Sequence, residues 1–594
     1  MTSNRELSIH GVTPTAKTLG TQQCGRASRW HGSRLAIAGI ALMLAGAASA
    51  ASSTMPQYNP YLAQSYNNQG HWNDAATDST DIAVPRGAFE VTPGSFDVVP
   101  NESASLPHYS DKVGGKEIYW WWSGFSLRKL RIDNGKFVEI DRMKIPLSLP
   151  DYKEATPEQR MAQAAEVQKF LQAKDEQGLL DYMKSQPNRM LTAVEDQVRT
   201  GAIYSLLTRE DTFVGASGRR LFTIAQSDPK DPESRLLPPR EKVLPEELFD
   251  NEKAKRGTRY PVDAMFGIGM TYNGYLLANT VGGKIITLDR KTLEVVDVYA
   301  VKGSDELFLN GFATGREMGG GAVYVASNTT MYRLVVDAKG KIHADEKSGA
   351  WQEPYERGAK FTSIKIADGT GSTPTLMGFG AKDDKLVVFT DGANKMRLVA
   401  MWRDKIPAGW KQKPGTLSRR IADQREVDLG PEIDTVQSEQ SVAVYGDYAF
   451  VINNIPTRQA PQLSNQSYFA SMINGATRPS PRGAAMMKWD PSTHAWKTQW
   501  TRTDLGSISI VPMISGGSRM AIIDGYFADR MNDRHLIGMD LDTGKTVLRI
   551  RTGTDPRFNG MFAPIKCDPD GNILFGMAFG LMRMDTSKMK RLED

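Results

Sequence analysis

Cysteine is nearly absent from this chain of 594 residues: Cys24 and Cys567 are the two it has. Cys24 lies in a segment that reads as a removable leader, so the mature chain can form no internal disulfide, and no CxxC zinc site or CxxCH haem attachment exists. Histidine is also scarce. Beyond residue 50 only His71, His108, His343, His494 and His535 remain; the first two fall in a polar N-terminal arm, the next two at hairpin turns, and His535 alone in a strand-like run. A Ser-His-Asp triad or a His-rich metal site is therefore hard to assemble from this sequence.

Long apolar runs are missing as well. The longest, starting at Leu35 and ending in the small residues Ala48-Ser49-Ala50, spans about sixteen residues where a membrane helix needs roughly twenty. Arg26, Arg29 and Arg34 precede it, which is the layout of a cleavable export signal ending at Ala50. No Arg-Arg pair marks it for twin-arginine export. Removing this leader takes away five basic residues and one acid, so the net charge of +5 drops to +1. The mature protein carries no basic footprint for nucleic acid and no transmembrane segment. The expected location is a periplasm, with release from the cell as the other outcome.

Residues 51–110 are rich in Asn, Ser, Gln, Pro and Tyr without a sustained period and read as an extended, partly ordered arm. Strand patterns begin at Glu117-Ile118-Tyr119-Trp120-Trp121-Trp122 and dominate residues 111–594. Residues 151–200 interrupt them with a helical period: Thr156-Pro157-Glu158-Gln159 is a capping box with Pro at the first helical position, and Ala164, Val167 and Leu171 share one face. This insertion reads as a decoration over an exposed edge, with a lid as the alternative. Residues 228–259, 409–425 and 457–482 read as long surface loops.

A short phrase recurs through the rest: an apolar run ending in Asp, a polar turn with Gly, Lys or Thr, then another apolar run. It occurs at Asp133-Asn134-Gly135, Asp289-Arg290-Lys291-Thr292, Asp337-Ala338-Lys339-Gly340, Asp490-Pro491-Ser492-Thr493 and Asp542-Thr543-Gly544-Lys545. Asp and Gly satisfy the turn backbone, so each phrase predicts a β-hairpin. With Asp585 and weaker turns near Asp228 and Asp404, the markers number eight; clearer neighbours lie 43 to 52 residues apart, the size of a four-stranded blade. The predicted fold class is all-β, a seven- or eight-bladed β-propeller with a helical insertion.

At these turns, above all Leu541-Asp542-Thr543-Gly544-Lys545-Thr546-Val547, the chain resembles the quinoprotein-like repeat family, over residues 115–590 at the level of architecture. The resemblance implies a propeller. It does not imply an activity, because such propellers include dehydrogenases and assembly scaffolds. In the dehydrogenase members it would imply pyrroloquinoline quinone held by a vicinal-cysteine disulfide and a stacking Trp, with calcium alongside. This chain lacks the cysteine pair, which argues against the quinone.

The first strand of each blade lines the central channel, where oxygen-bearing side chains can hold a hard cation such as calcium. Asn310, Asp391, Glu439, Asn453 and Asp524 are the candidates, and a ring of them resembles the metal site of propeller lactonases. The competing reading is that these residues cap turns. Trp120 and Trp122 share one strand face and could offer a stacking platform for a ligand, or pack between blades. Ser372 and Thr373, in Gly371-Ser372-Thr373-Pro374, could donate hydrogen bonds into the channel; Ser372 has no nearby base and is no nucleophile. The expected role is binding of a small molecule or partner protein at the channel mouth or rim, with a metal-dependent hydrolase as the alternative.

Overall fold

The computed structural model describes residues 54–593 apart from 64, 66, 102–106, 110–116, 148–152, 202, 259–261, 359–364, 366–367, 457–465 and 508–510. The leader, including Cys24 and Ala50, lies outside the described residues. Among them no helix is long and apolar enough to cross a membrane.

Among the described residues the strands form eight sheets, taken up one after another along the chain and each built on four antiparallel strands. Apolar clusters join them pairwise in a closed cycle. Trp120 and Trp122 of the first sheet meet Phe213 and Phe222 of the second; further clusters join the second to the third, the third to the fourth and so on. Tyr119, Trp121 and Leu130 of the first sheet pack on Leu574 and Leu581 of the eighth, which closes the ring. This is a β-propeller. Because each sheet is covered on both faces, its strands are apolar at successive positions rather than alternately: Met486 packs toward the seventh sheet and Met487 toward the fifth.

Every marker aspartate follows the third strand of one sheet, and the physics is the expected one at five of them. Asp289 Oδ1 accepts from the Lys291 and Thr292 N–H groups, and Asp228, Asp337, Asp490 and Asp585 cap their turns the same way. Asn134 and Gly135 both take positive φ, 50° and 79°, as a two-residue type I′ hairpin requires. At the cleanest repeat the role shifts by two residues: Asp540 Oδ1 accepts from the Asp542 and Thr543 N–H groups, while Asp542 pairs with Arg519 at 2.6 Å. The ring is locked by chain ends. Strand Phe96–Pro100 pairs with Gly580–Met584 and so gives the last sheet its outer strand.

The arm departs from expectation. Residues 54–85 are wound inside the ring against the free edges of the first strands. Thr314, Leu376, Val444 and Ile514, each on the first strand of a different sheet, donate their N–H groups to the carbonyls of Asp74, Ala75, Thr77 and Asp78 at 2.8–3.0 Å. Leu207 N–H bonds to Asn68 O, Asn59 Nδ2 to Met270 O, and Trp72 Nε1 to Ile565 O. The cause is that seven innermost strands present unpaired backbone groups to the axis, and a polar, unperiodic segment can satisfy them where a regular strand could not.

The insertion forms helices Pro157–Ala173, Glu176–Ser185 and Ala193–Thr200. Thr156 makes the full capping box with Gln159. The helices pack with Ser467–Ile473 on the seventh and eighth sheets. Arg160 is buried there: Nε donates to Asn101 O at 2.8 Å, Nη1 to Gln163 Oε1 at 2.7 Å, and Nη2 to Tyr468 Oη at 2.9 Å and to Ala578 O. These bonds anchor the insertion to the last sheet.

Candidate functional site at the channel mouth

Three segments far apart in sequence meet here. The arm supplies His71 and Asp78; its winding depends on positive φ at Trp72, Ala76 and Asp78 (47–68°), which non-glycine residues adopt only when surroundings hold them. Here the hydrogen bonds to the inner strands do so. Tyr204 comes from the link between the helical insertion and strand Ser205–Leu207, and Thr373 from the entry to strand Thr375–Met377.

These side chains form one hydrogen-bonded line. His71 Nδ1 lies 2.8 Å from Asp78 Oδ2, its Nε2 lies 3.3 Å from Tyr204 Oη, and Tyr204 Oη lies 3.2 Å from Thr373 Oγ1. With Nδ1–H donating to the carboxylate, Nε2 presents its lone pair to the phenol. A Cβ at Gly311 would stand 3.3 Å from Tyr204 Cζ, so glycine leaves the ring its room. Asp78 and Thr373 are buried, whereas Tyr204 and Glu439 keep part of their surface.

Burial governs the electrostatics. It pushes the Tyr204 phenol up to about 12, aided by the charges of Asp78 and Glu439, so the hydroxyl stays a neutral donor. Lys566, 5.0 Å above the Trp72 ring and donating to Gln69 O at 3.2 Å, is brought down by burial to about 7. Burial, and then the Lys566 charge, lower His108 to about 3, which leaves a neutral imidazole 2.7 Å from Ser205 Oγ. Lys365 is lowered by burial against the pull of Glu439, Asp391 and Asp368. The arrangement offers a directed phenol hydroxyl backed by an imidazole, with a carboxylate and an ammonium group alongside.

The residues expected from sequence fare differently. Thr373 belongs to the line. Ser372 does not: its Oγ is spent between Thr390 Oγ1 at 2.9 Å and Gln440 O at 3.0 Å, a staple from the fifth sheet to the sixth. Trp120 and Trp122 are buried between the first two sheets, so the stacking platform is replaced by inter-sheet packing; Lys129 Nζ lies 5.2 Å over the Trp120 ring. The oxygen-bearing candidates have the following protein partners. Asp391 pairs with Arg397 at 2.9 Å, Asp524 with Arg534 at 2.8 Å, and Asn453 accepts from Gln437 N–H while donating to Thr435 O and Arg482 O. Asn310 gives its carbonyl to Asn279 Nδ2, and Glu439 N–H donates to Asn454 Oδ1. Among the described residues no group of three His, Cys, Asp or Glu side chains is placed to hold a metal ion.

Sequence reasoning set His71 and His108 aside as arm residues; both are buried, His71 against Asp78 and Tyr204, His108 against Ser205 and Phe213. The available signal was the density of Asn, Gln, Asp and Trp over residues 59–78 of a supposedly loose segment.

No family model matches the chain. An uncharacterized protein of Archaeoglobus fulgidus is 28% identical over 333 residues, 54% of this chain; the chain spans 61% of that relative's length. Among solved structures, the quinohemoprotein alcohol dehydrogenase of Comamonas testosteroni is similar at 10% identity and a TM-score of 0.46, covering 91% of this chain and 82% of its own. BamB of Moraxella catarrhalis gives 14% and 0.36 over 64% and 84%, and the periplasmic gluconolactonase PpgL of Pseudomonas aeruginosa 10% and 0.36 over 63% and 87%. The fold assignment rests on the strand topology and the closed cycle of inter-sheet clusters.

Proposed function

We propose that this protein is an exported, periplasmic propeller of eight blades that binds a small polar molecule at its channel mouth. The observation that carries the reading is the Asp78–His71–Tyr204–Thr373 line. It is assembled from the arm and two further segments, and passes through a phenol that keeps part of its surface. Packing alone asks for no such chain, and buried polar groups are costly unless they serve fold or function. Winding of the arm through the ring leaves the mouth as the approach for a ligand and gives the arm two of the binding residues.

Pyrroloquinoline quinone does not fit the residues present. Cys567 is the one cysteine among the described residues and is buried, and the tryptophans Trp120–Trp122 are enclosed between sheets. A calcium-dependent hydrolase is disfavoured because Asp391, Asn453 and Asp524 are each engaged by protein partners.

The test is a thermal-shift screen of small polar metabolites against the native chain and the variants Tyr204→Phe and His71→Asn. Ligands that raise the native midpoint are expected to lose most of that rise in both variants, whose unliganded midpoints stay close to native. Stabilisation that persists in both variants would move binding elsewhere; about one tightly held calcium per chain on metal analysis would reinstate the hydrolase.

A further inference from the structure

A cleft of about 420 Å³ opens on the rim between the sixth and seventh sheets, away from the residues of the channel mouth. Its walls come from Arg482, Thr503 and Asp504 on one side, and from the turn Phe527–Arg530 and Arg549 on the other. Backbone anchors fix it, since Ala528 N–H donates to Asp504 O at 2.8 Å. The Phe527 ring, seated edge-on against His535 at 5.2 Å, supplies an apolar surface.

The charges do not cancel. Asp504 is neutralised by a two-pronged pair with Arg502, at 2.6 and 2.7 Å, and Asp529 is matched by Arg530 at 3.6 Å. Arg482 and Arg549 both line the cleft and have no ion-pair partner among the described residues. Two positive charges are left over. Behind the wall, burial holds His535 below its ordinary value against the pull of Asp533, with smaller contributions from Arg549 and Arg551 in the same direction as burial.

We propose that this cleft is a second binding site, for a small organic dianion with a flat apolar body, such as an aromatic dicarboxylate. Each unpaired guanidinium presents a planar fork that matches one carboxylate. The body lies against Phe527. The volume suits a compact ligand of this class, and the assignment does not depend on the channel-mouth reading.

Titration calorimetry on the full mature chain at low salt tests it, with phthalate as the probe and benzoate and phthalamide as controls. Saturable phthalate binding is expected, weakened about tenfold or more by Arg482→Gln and by Arg549→Gln separately, and steeply reduced by added salt. Benzoate should bind more weakly and phthalamide not at all. Tyr204→Phe should leave phthalate binding unchanged, which separates this site from the mouth. Both arginine positions reach the rim surface, and unchanged thermal midpoints of the unliganded variants would show that folding is intact. Absence of saturable phthalate binding, or binding indifferent to both substitutions, would overturn the proposal. Equal affinity for phthalamide would overturn it too.

Discussion

Replacing Asp74 by Asn should remove a pH dependence that the channel filling builds into this protein. Asp74 is fully enclosed, and its Oδ1 receives Asn59 Nδ2 at 3.1 Å and Gln69 Nε2 at 2.8 Å, with the Thr314 hydroxyl at 3.3 Å. Those bonds favour the carboxylate. Burial outweighs them, and the carboxyl is pushed up from 3.8 to about 7. A folded-state value above the unfolded one means that folding favours the protonated form. The contribution is fully present below about pH 4 and is lost as pH rises toward 7. At about 1.4 kcal/mol per pH unit, the difference approaches 4 kcal/mol as an upper bound. Asn keeps the oxygen that faces the donors and cannot ionise. The variant should therefore match native stability near pH 4 and exceed it by up to about 4 kcal/mol above pH 7. With an unfolding entropy of ~2.1 cal/mol/K per residue over roughly 540 residues, 1 kcal/mol corresponds to about 1 °C, so the midpoints should separate by about 3–4 °C. The assay is thermal unfolding of both proteins from pH 4 to pH 8. A constant gap across that range, or an Asn variant less stable at pH 7.5, would refute the reasoning.

Arg160→Leu should strip the Asn101 and Ala578 carbonyls and the Tyr468 hydroxyl of their buried donor. An expected cost of roughly 2–4 kcal/mol, concentrated in the helical cover, would appear as faster proteolysis within residues 150–200 while the sheets stay folded; unchanged cleavage there would count against the anchor. The Cys567 thiol is enclosed and pushed well above its ordinary value by burial. It should resist a thiol reagent such as DTNB in the native protein and react at once in denaturant; prompt native labelling would contradict the packing around it.

Local chemistry made much of this protein readable from its residues alone. The turn-capping aspartates Asp228, Asp289, Asp337, Asp490 and Asp585, the Asn134-Gly135 hairpin and the Thr156 capping box act within a few residues of themselves, so turn and cap follow from composition and spacing. Apolar runs of strand length, repeated at blade spacing, forced many small sheets covered on both faces. Which face of a strand meets which neighbour is a property of the closed ring: Trp120 and Trp121 are adjacent in sequence, yet one packs on the second sheet and the other on the eighth. Asp391 and Asp524 pair with arginines and Asn453 with a backbone amide within sixteen residues, partners that form without a long-range constraint. The arm shows the division most plainly. Its side chains have no period because their partners are the open edges of seven different sheets, so only closure of the ring could bring His71 and Asp78 to Tyr204 and enclose Asp74 where its charge is costly.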